Sequence, residues 1–114
     1  MPKFLEEHKE KAAFIHIDCD LYSSTKTIFD NIYDRIVPNT AIQFDEYYNY
    51  PGWRNHEFKA FQEFCKKYNV EYEYIGISLY QVAVVIKSIK NLLLFLLYTN
   101  IYRHCEALVT TISR

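Results

Sequence analysis

Two short acidic groups carry the strongest chemical signal in the sequence. Asp18-Cys19-Asp20 closes the apolar run AAFIHID at residues 12–18, and Asp45-Glu46 closes TAIQF at residues 40–44. If these two runs are neighbouring strands, their ends lie about 5 Å apart. In an open parallel sheet, ligands bind beyond the carboxyl ends of the strands, at a topological switch point. Three or four carboxylates meeting there repel one another, and one pKa rises unless a cation sits between them. Hard oxygen donors of this kind suit magnesium, calcium or manganese rather than zinc. The plainer alternative is that acids after strands are helix caps or solvated loop residues, Asp20 above all.

Aromatic residues follow the second acidic pair. Tyr47, Tyr48, Tyr50 and Trp53 crowd the segment YYNYPGW, which Pro51-Gly52 punctuates. Such side chains either wall a small-molecule pocket or fold back over the sheet edge. Arg54 is placed to meet an anionic group or to pair with a nearby acid. His56 opens the next helix, is expected near Asp45, and is a candidate general base. Its alternative is a polar residue of the first helical turn. His16 shares a strand face with Phe14 and Asp18 and reads as a packed, hydrogen-bonded histidine rather than a ligand. His8 and His104 have no constellation. Cys19, beside two acids, is expected to have a raised pKa and to be a poor nucleophile.

The elements that must position these groups alternate in type. Residues 12–18 read as a strand buried on both faces. Ser23-Ser24-Thr25 offers N-cap candidates, and Ile28, Phe29, Ile32, Tyr33 and Ile36 follow at helical spacing until Pro38-Asn39. Residues 40–44 form a second strand. Phe58, Phe61, Phe64, Cys65 and Tyr68 make one face of a second helix, so Cys65 belongs to the core. Residues 70–77 alternate like a half-solvated strand, and 79–86 are β-branched and apolar. A short Gly-containing link suggests that these last two strands are antiparallel. Residues 2–10 read as the end of a helix feeding the first strand. The order predicts an α/β layer with a mainly parallel sheet and one reversed strand.

Composition bounds the remaining possibilities. The chain has 114 residues, room for one ordinary domain, and half of them are hydrophobic. A net charge of -1 disfavours a nucleic-acid binder. The three cysteines, Cys19, Cys65 and Cys105, form no C-x-x-C pair, which disfavours a zinc finger and suits a reducing, cytoplasmic compartment. The charged opening MPKFLEEHKEK lacks the apolar centre of a secretory signal. After Lys87 the composition changes. Residues 88–114 contain NLLLFLLY, an apolar run shorter than the ~20 residues of a membrane span. It reads as a buried or partner-facing helix, an interfacial segment, or a tail foreign to the preceding domain.

With the motifs assembled, IHIDCDLYSSTKTIFDNIYDRIVPNTAIQFDEY resembles the later half of class I S-adenosylmethionine-dependent methyltransferases. The nearest likeness is to the macrocin O-methyltransferase family, with its D-x-D-L-Y-x-S-T segment and later acidic pair before tyrosine. PGWRNHEFKAFQEF looks like that family's turn into a helix, and VEYEYIGISLYQVAVVIK like its antiparallel last two strands. The likeness covers residues 2–87. It implies a partial Rossmann-like methyltransferase sheet over 1–87, followed by a Leu-rich, helical tail over 88–114. It also implies methyl transfer from S-adenosylmethionine to a hydroxyl of a small sugar-like or natural-product substrate, with magnesium at the strand ends. By motif position Asp18, Asp45 and Glu46 would be metal ligands, and Asp20 a further ligand or the base. Asp20 or His56 would take the acceptor's proton. Tyr47, Trp53 and Arg54 would line the substrate site.

Two departures bear on that expectation. Glu46 stands where aspartate is commoner. The family's glycine-rich cofactor turn is not found: the two glycines are Gly52 and Gly76, and no G-x-G occurs. The implied protein is therefore the C-terminal part of a methyltransferase, inactive alone: either the product of a broken or split gene, or a chain that pairs with a complementary N-terminal half or a second copy. Other readings are a D-x-D metal-dependent phosphatase or glycosyltransferase, and a non-enzymatic interaction module. Tyr22 stands where the phosphatase motif has Thr or Val.

Overall fold

The computed structural model describes residues 2–90. The elements run α1 (Pro2–Glu7), β1 (Phe14–Ile17), α2 (Tyr22–Ile32), a 3-10 turn (Tyr33–Arg35), β2 (Ala41–Phe44), a second 3-10 turn (Trp53–Asn55), α3 (Glu57–Tyr68), β3 (Glu71–Ile77) and β4 (Val82–Ser88). The expectation of a helical tail over 88–114 lies outside the described residues except at its start. There β4 runs to Ser88, two residues beyond the expected strand, and the Lys90 N–H donates to the Tyr68 carbonyl.

The four strands form one mixed sheet in the order β1-β2-β4-β3. β1 and β2 are parallel, with Ile17 opposite Phe44. β4 runs antiparallel to both β2 and β3. The α/β class and the single reversed strand agree with the residue pattern, but the sheet is not mainly parallel: β4 lies between β2 and β3, so only the β1–β2 pairing is parallel. Among the described residues, no helix is long and apolar enough to cross a membrane.

The core lies on one face of the sheet. Alternate strand residues Ile17, Ile42, Phe44, Val82, Val84 and Ile86 are buried against α2 and α3. Phe29 joins the layers, its ring stacking on Phe64 at 4.5 Å and tilting against Phe44. Phe61 is fully buried between Phe44 and Tyr72. Burying a side chain of this size contributes roughly 1.5–3 kcal/mol.

Several local expectations need correction. β1 is not buried on both faces: Phe14 is 59 % exposed and His16 is exposed beside it. The cause is position, since among the described residues β1 pairs only with β2, and α2 and α3 cover a single face. Ser23, Ser24 and Thr25 do not cap α2 but lie inside it. Thr25 Oγ1 instead donates to the Leu21 carbonyl at 2.9 Å, one turn back. The helix also stops at Ile32 and tightens into the 3-10 turn before Ile36. Gly76 lies within β3, and the link to β4 is Ser78–Gln81, closed by a hydrogen bond from Ser78 N–H to the Gln81 carbonyl.

Candidate functional site

The parallel pairing of β1 and β2 brings both acidic groups to one end of the sheet. The Asp45 N–H donates to the Ile17 carbonyl at 3.0 Å, so the chain leaves the two strands side by side. What holds the two exits together is Glu57, the first residue of α3. It is 0 % exposed. Its Oε2 accepts from the N–H groups of Cys19 (3.3 Å) and Asp20 (3.2 Å), and its Oε1 from Glu46 N–H at 3.1 Å. One buried carboxylate thus satisfies three backbone donors from two loops, as a buried charge requires.

The local sequence explains how Glu57 arrives there. Gly52 adopts φ 78, a left-handed conformation natural to glycine, and turns the chain into the 3-10 segment before α3. Glu57 then sits in the first helical turn, where the helix dipole favours an acid. Burial pushes its carboxyl above the ordinary range, and the hydrogen bonds from Glu46, Asp20 and Cys19 oppose that shift.

The four other acids crowd the rim. Asp18 and Asp20 are exposed, and Asp45 and Glu46 half-buried. Among the described residues, no lysine or arginine pairs with any of them. Burial, then the charges of Asp20, Asp18 and Asp45, push the Glu46 carboxyl upward. Burial and the Glu57 charge likewise raise the Cys19 thiol, as expected for a poor nucleophile. A cavity of about 290 Å³ adjoins the site, lined by Asp45, Glu46, Leu79 and Gln81 among others.

The predicted ligand trio is not assembled. Asp45 Oδ1 accepts from Gln81 Nε2 at 2.8 Å and faces His16 Nε2 at 3.5 Å. Among the described residues, no three His, Cys, Asp or Glu side chains converge as metal ligands do. The oxygen donors suit magnesium by chemistry, but their arrangement does not fit it.

Asp45 takes His16 and Gln81 as its hydrogen-bond partners. The His56 ring stacks on Tyr50 with centroids 6.1 Å apart, and its Nδ1 is buried without a partner among the described residues. Tyr50 in turn donates its hydroxyl to the Glu46 carbonyl at 3.1 Å. His56 and Tyr50 therefore border the acidic group without joining it. His16, expected to be packed, is exposed and meets Asp45 at long range.

The aromatic loop folds back over the sheet edge. Tyr47 N–H donates to the Tyr80 carbonyl, Tyr48 hydroxyl to the Ser78 carbonyl, and Asn49 Nδ2 to the Leu79 carbonyl. Tyr47 is a core residue, and its hydroxyl joins Tyr74 at 3.0 Å and Gln62 at 3.1 Å. Trp53 stands edge-on to Phe58, centroids 4.9 Å apart. Arg54 pairs with no acid among the described residues; its guanidinium lies 4.3 Å over the Trp53 ring. Sequence reasoning missed Glu57. The available signal was an acid in a helical first turn just after a Gly-containing loop.

No protein-family model, curated protein or solved structure matches this chain.

Proposed function

We propose that residues 2–90 form the acceptor-side part of an S-adenosylmethionine-dependent O-methyltransferase acting on a small hydroxylated substrate. The observation that carries this reading is the meeting of Asp18-Cys19-Asp20 and Asp45-Glu46 at the carboxyl ends of adjacent parallel strands. The sheet order with its antiparallel final strands is compatible with a Rossmann-like fold and supports the reading further.

In this reading the loops fixed by Glu57 hold the acceptor beside the acids. When bound, S-adenosylmethionine would supply an electrophilic methyl group for in-line displacement by the acceptor oxygen. The Asp20 carboxylate or the His56 imidazole would take the acceptor hydroxyl's proton. Positioning supplies much of the rate in such an in-line displacement. The glycine-rich turn that would hold the cofactor is not within these 114 residues, so the chain alone is expected to be inactive.

The coding DNA immediately upstream tests the reading. It should encode a strand followed by a glycine-rich turn. The two products together should bind S-adenosylmethionine in calorimetry, and this chain alone should not. Tight one-to-one binding to this chain alone, or no such upstream sequence, would sink it.

The uncovered sheet face favours a second reading, a non-enzymatic interaction module. Phe14 is 59 % exposed on the sheet face that α2 and α3 leave open. Light scattering separates the two: an interaction module that pairs through this face forms a stable homodimer without any cofactor.

A further inference from the structure

We infer that the cavity beside the aromatic loop is a binding site for a single aromatic ring carrying a hydroxyl, a phenol rather than a sugar. The cavity measures about 200 Å³ and is lined by Tyr47, Tyr48, Trp53, Phe58 and Tyr74, with Ile77 and Val82 closing it. Apolar cavities of about 150 Å³ already accept benzene, so the space suits one substituted ring.

The walls are specific in chemistry as well as size. The Phe58 ring meets both Tyr47 and Trp53 edge-on, at 5.3 Å and 4.9 Å between centroids. Tyr74 meets Tyr47 edge-on at 6.1 Å. Aromatic rings gain from such edge-to-face contacts beyond the area they bury, and a sugar's hydroxyls would lose water there without replacement. One polar handle is present. The Tyr74 hydroxyl belongs to a short chain with the Tyr47 and Tyr72 hydroxyls, and Gln62 Nε2 donates to both Tyr47 and Tyr72. Tyr74 is 47 % exposed, so a ligand hydroxyl can extend that chain. The loop that builds the wall is fixed by its hydrogen bonds to Ser78, Leu79 and Tyr80, which keeps the cavity formed without a ligand.

This inference goes beyond the acceptor-side reading and does not rest on it, since binding of the ring does not depend on methyl transfer. The acidic cavity lined by Asp45 and Glu46 takes no part in it.

Trp53 is the chain's one tryptophan, so its indole N–H gives one resonance that reports on this wall. The 114-residue chain, labelled with nitrogen-15, is titrated with p-cresol, cyclohexanol and methyl glucoside. The expected result is a saturable shift of the Trp53 indole with p-cresol, half-complete near ~1 mM, as a ligand of this size allows. Cyclohexanol should need at least ~10-fold more, and methyl glucoside should give no saturable shift. Ile77→Phe, which fills the mouth, should weaken p-cresol binding ~10-fold or more with an otherwise unchanged amide spectrum. If that variant unfolds, Tyr48→Ala, which removes one wall, carries the same expectation. No saturable shift in a folded chain, or binding unchanged by the variant that folds, overturns the site. Equal binding of glucoside or cyclohexanol overturns the aromatic class. Because the readout needs no cofactor, cresol binding survives failure of the upstream-sequence test, and its absence leaves that test intact.

Discussion

The two faces of the sheet are built from the same strands and behave as opposites. Ile17, Ile42, Phe44, Val84 and Ile86 are buried under α2 and α3, and the residues between them face outward. Phe14 is 59 % exposed on that outward side. In a half-solvated sheet the outward residues are usually polar. Here β1 and β4 carry apolar residues in both registers, with Phe14, Ala83 and Val85 outward. The covered face makes the fold, and the open face carries apolar residues with no helix over them among the described residues.

Mutation tests that difference most strongly at its two extremes. Phe61→Ala should cost about 3–5 kcal/mol of stability in a urea titration, because Phe61 is fully buried among five aromatic neighbours. Phe14→Ser should change stability by no more than about 0.5 kcal/mol. A comparable loss at Phe14 would show that its face is covered in solution, and the contrast between the faces would collapse.

Glu57→Ala should come next, at about 3 kcal/mol, since it strands three backbone donors at the two loop exits. Glu57→Gln keeps an acceptor oxygen and should cost less. If the loops matter to the sheet end only, hydrogen exchange at the Cys19, Asp20 and Glu46 amides should accelerate in Glu57→Gln while β4 amides stay protected.

Much of this was readable in the residues. The acid-ended apolar runs located β1 and β2 and their shared end. The β-branched run 79–86 and its predecessor located the antiparallel pair. The hidden parts are those that only packing decides. Phe14 and His16 look like buried strand residues because nothing in a local run says how many faces will be covered. Ser23 and Ser24 look like caps, yet α2 starts at Tyr22, after a tight turn in which Leu21 N–H donates to the Cys19 carbonyl. Glu57 has the composition of any exposed first-turn acid, and its burial follows from the loops that converge on it. Asp45 was placed correctly along the chain, but its partners Gln81 and His16 lie on other strand ends.

Asp20 offers a smaller and sharper test at the acidic loop. Among the described residues, four non-glycine residues have positive φ, and three of them, Asn39, Asn49 and Asn69, are asparagines. Asp20, at φ 63, is the exception. Left-handed backbone is a cost for a side-chain-bearing residue, and strain retained at such a place accords with a functional role. Asp20→Gly should therefore stabilise the chain by up to about 1 kcal/mol in the same titration. A loss of stability would mean that the Asp20 side chain makes a structural contact, which would weaken its candidacy as a base.

The least effect expected is with pH, and its sign is fixed by crowding. Burial and neighbouring charges raise the carboxyls of Glu46 and Glu57 above their ordinary range. A raised acid binds its proton more readily in the folded chain than in the unfolded one. Its contribution to stability is therefore complete below the unfolded pKa and is lost as pH rises through the folded value. Thermal stability should accordingly rise modestly as pH falls from about 7 to about 5. Glu46→Gln should flatten part of that slope, because it removes both a raised group and one of the charges acting on its neighbours. A magnesium ion drawn to the same carboxylates would oppose the repulsion, so adding magnesium chloride should flatten the slope as well. Sodium chloride at equal ionic strength is the control, since screening alone acts on every exposed charge. An effect confined to magnesium would show that the carboxylates can rearrange into the ligand set that Asp45 now leaves unassembled.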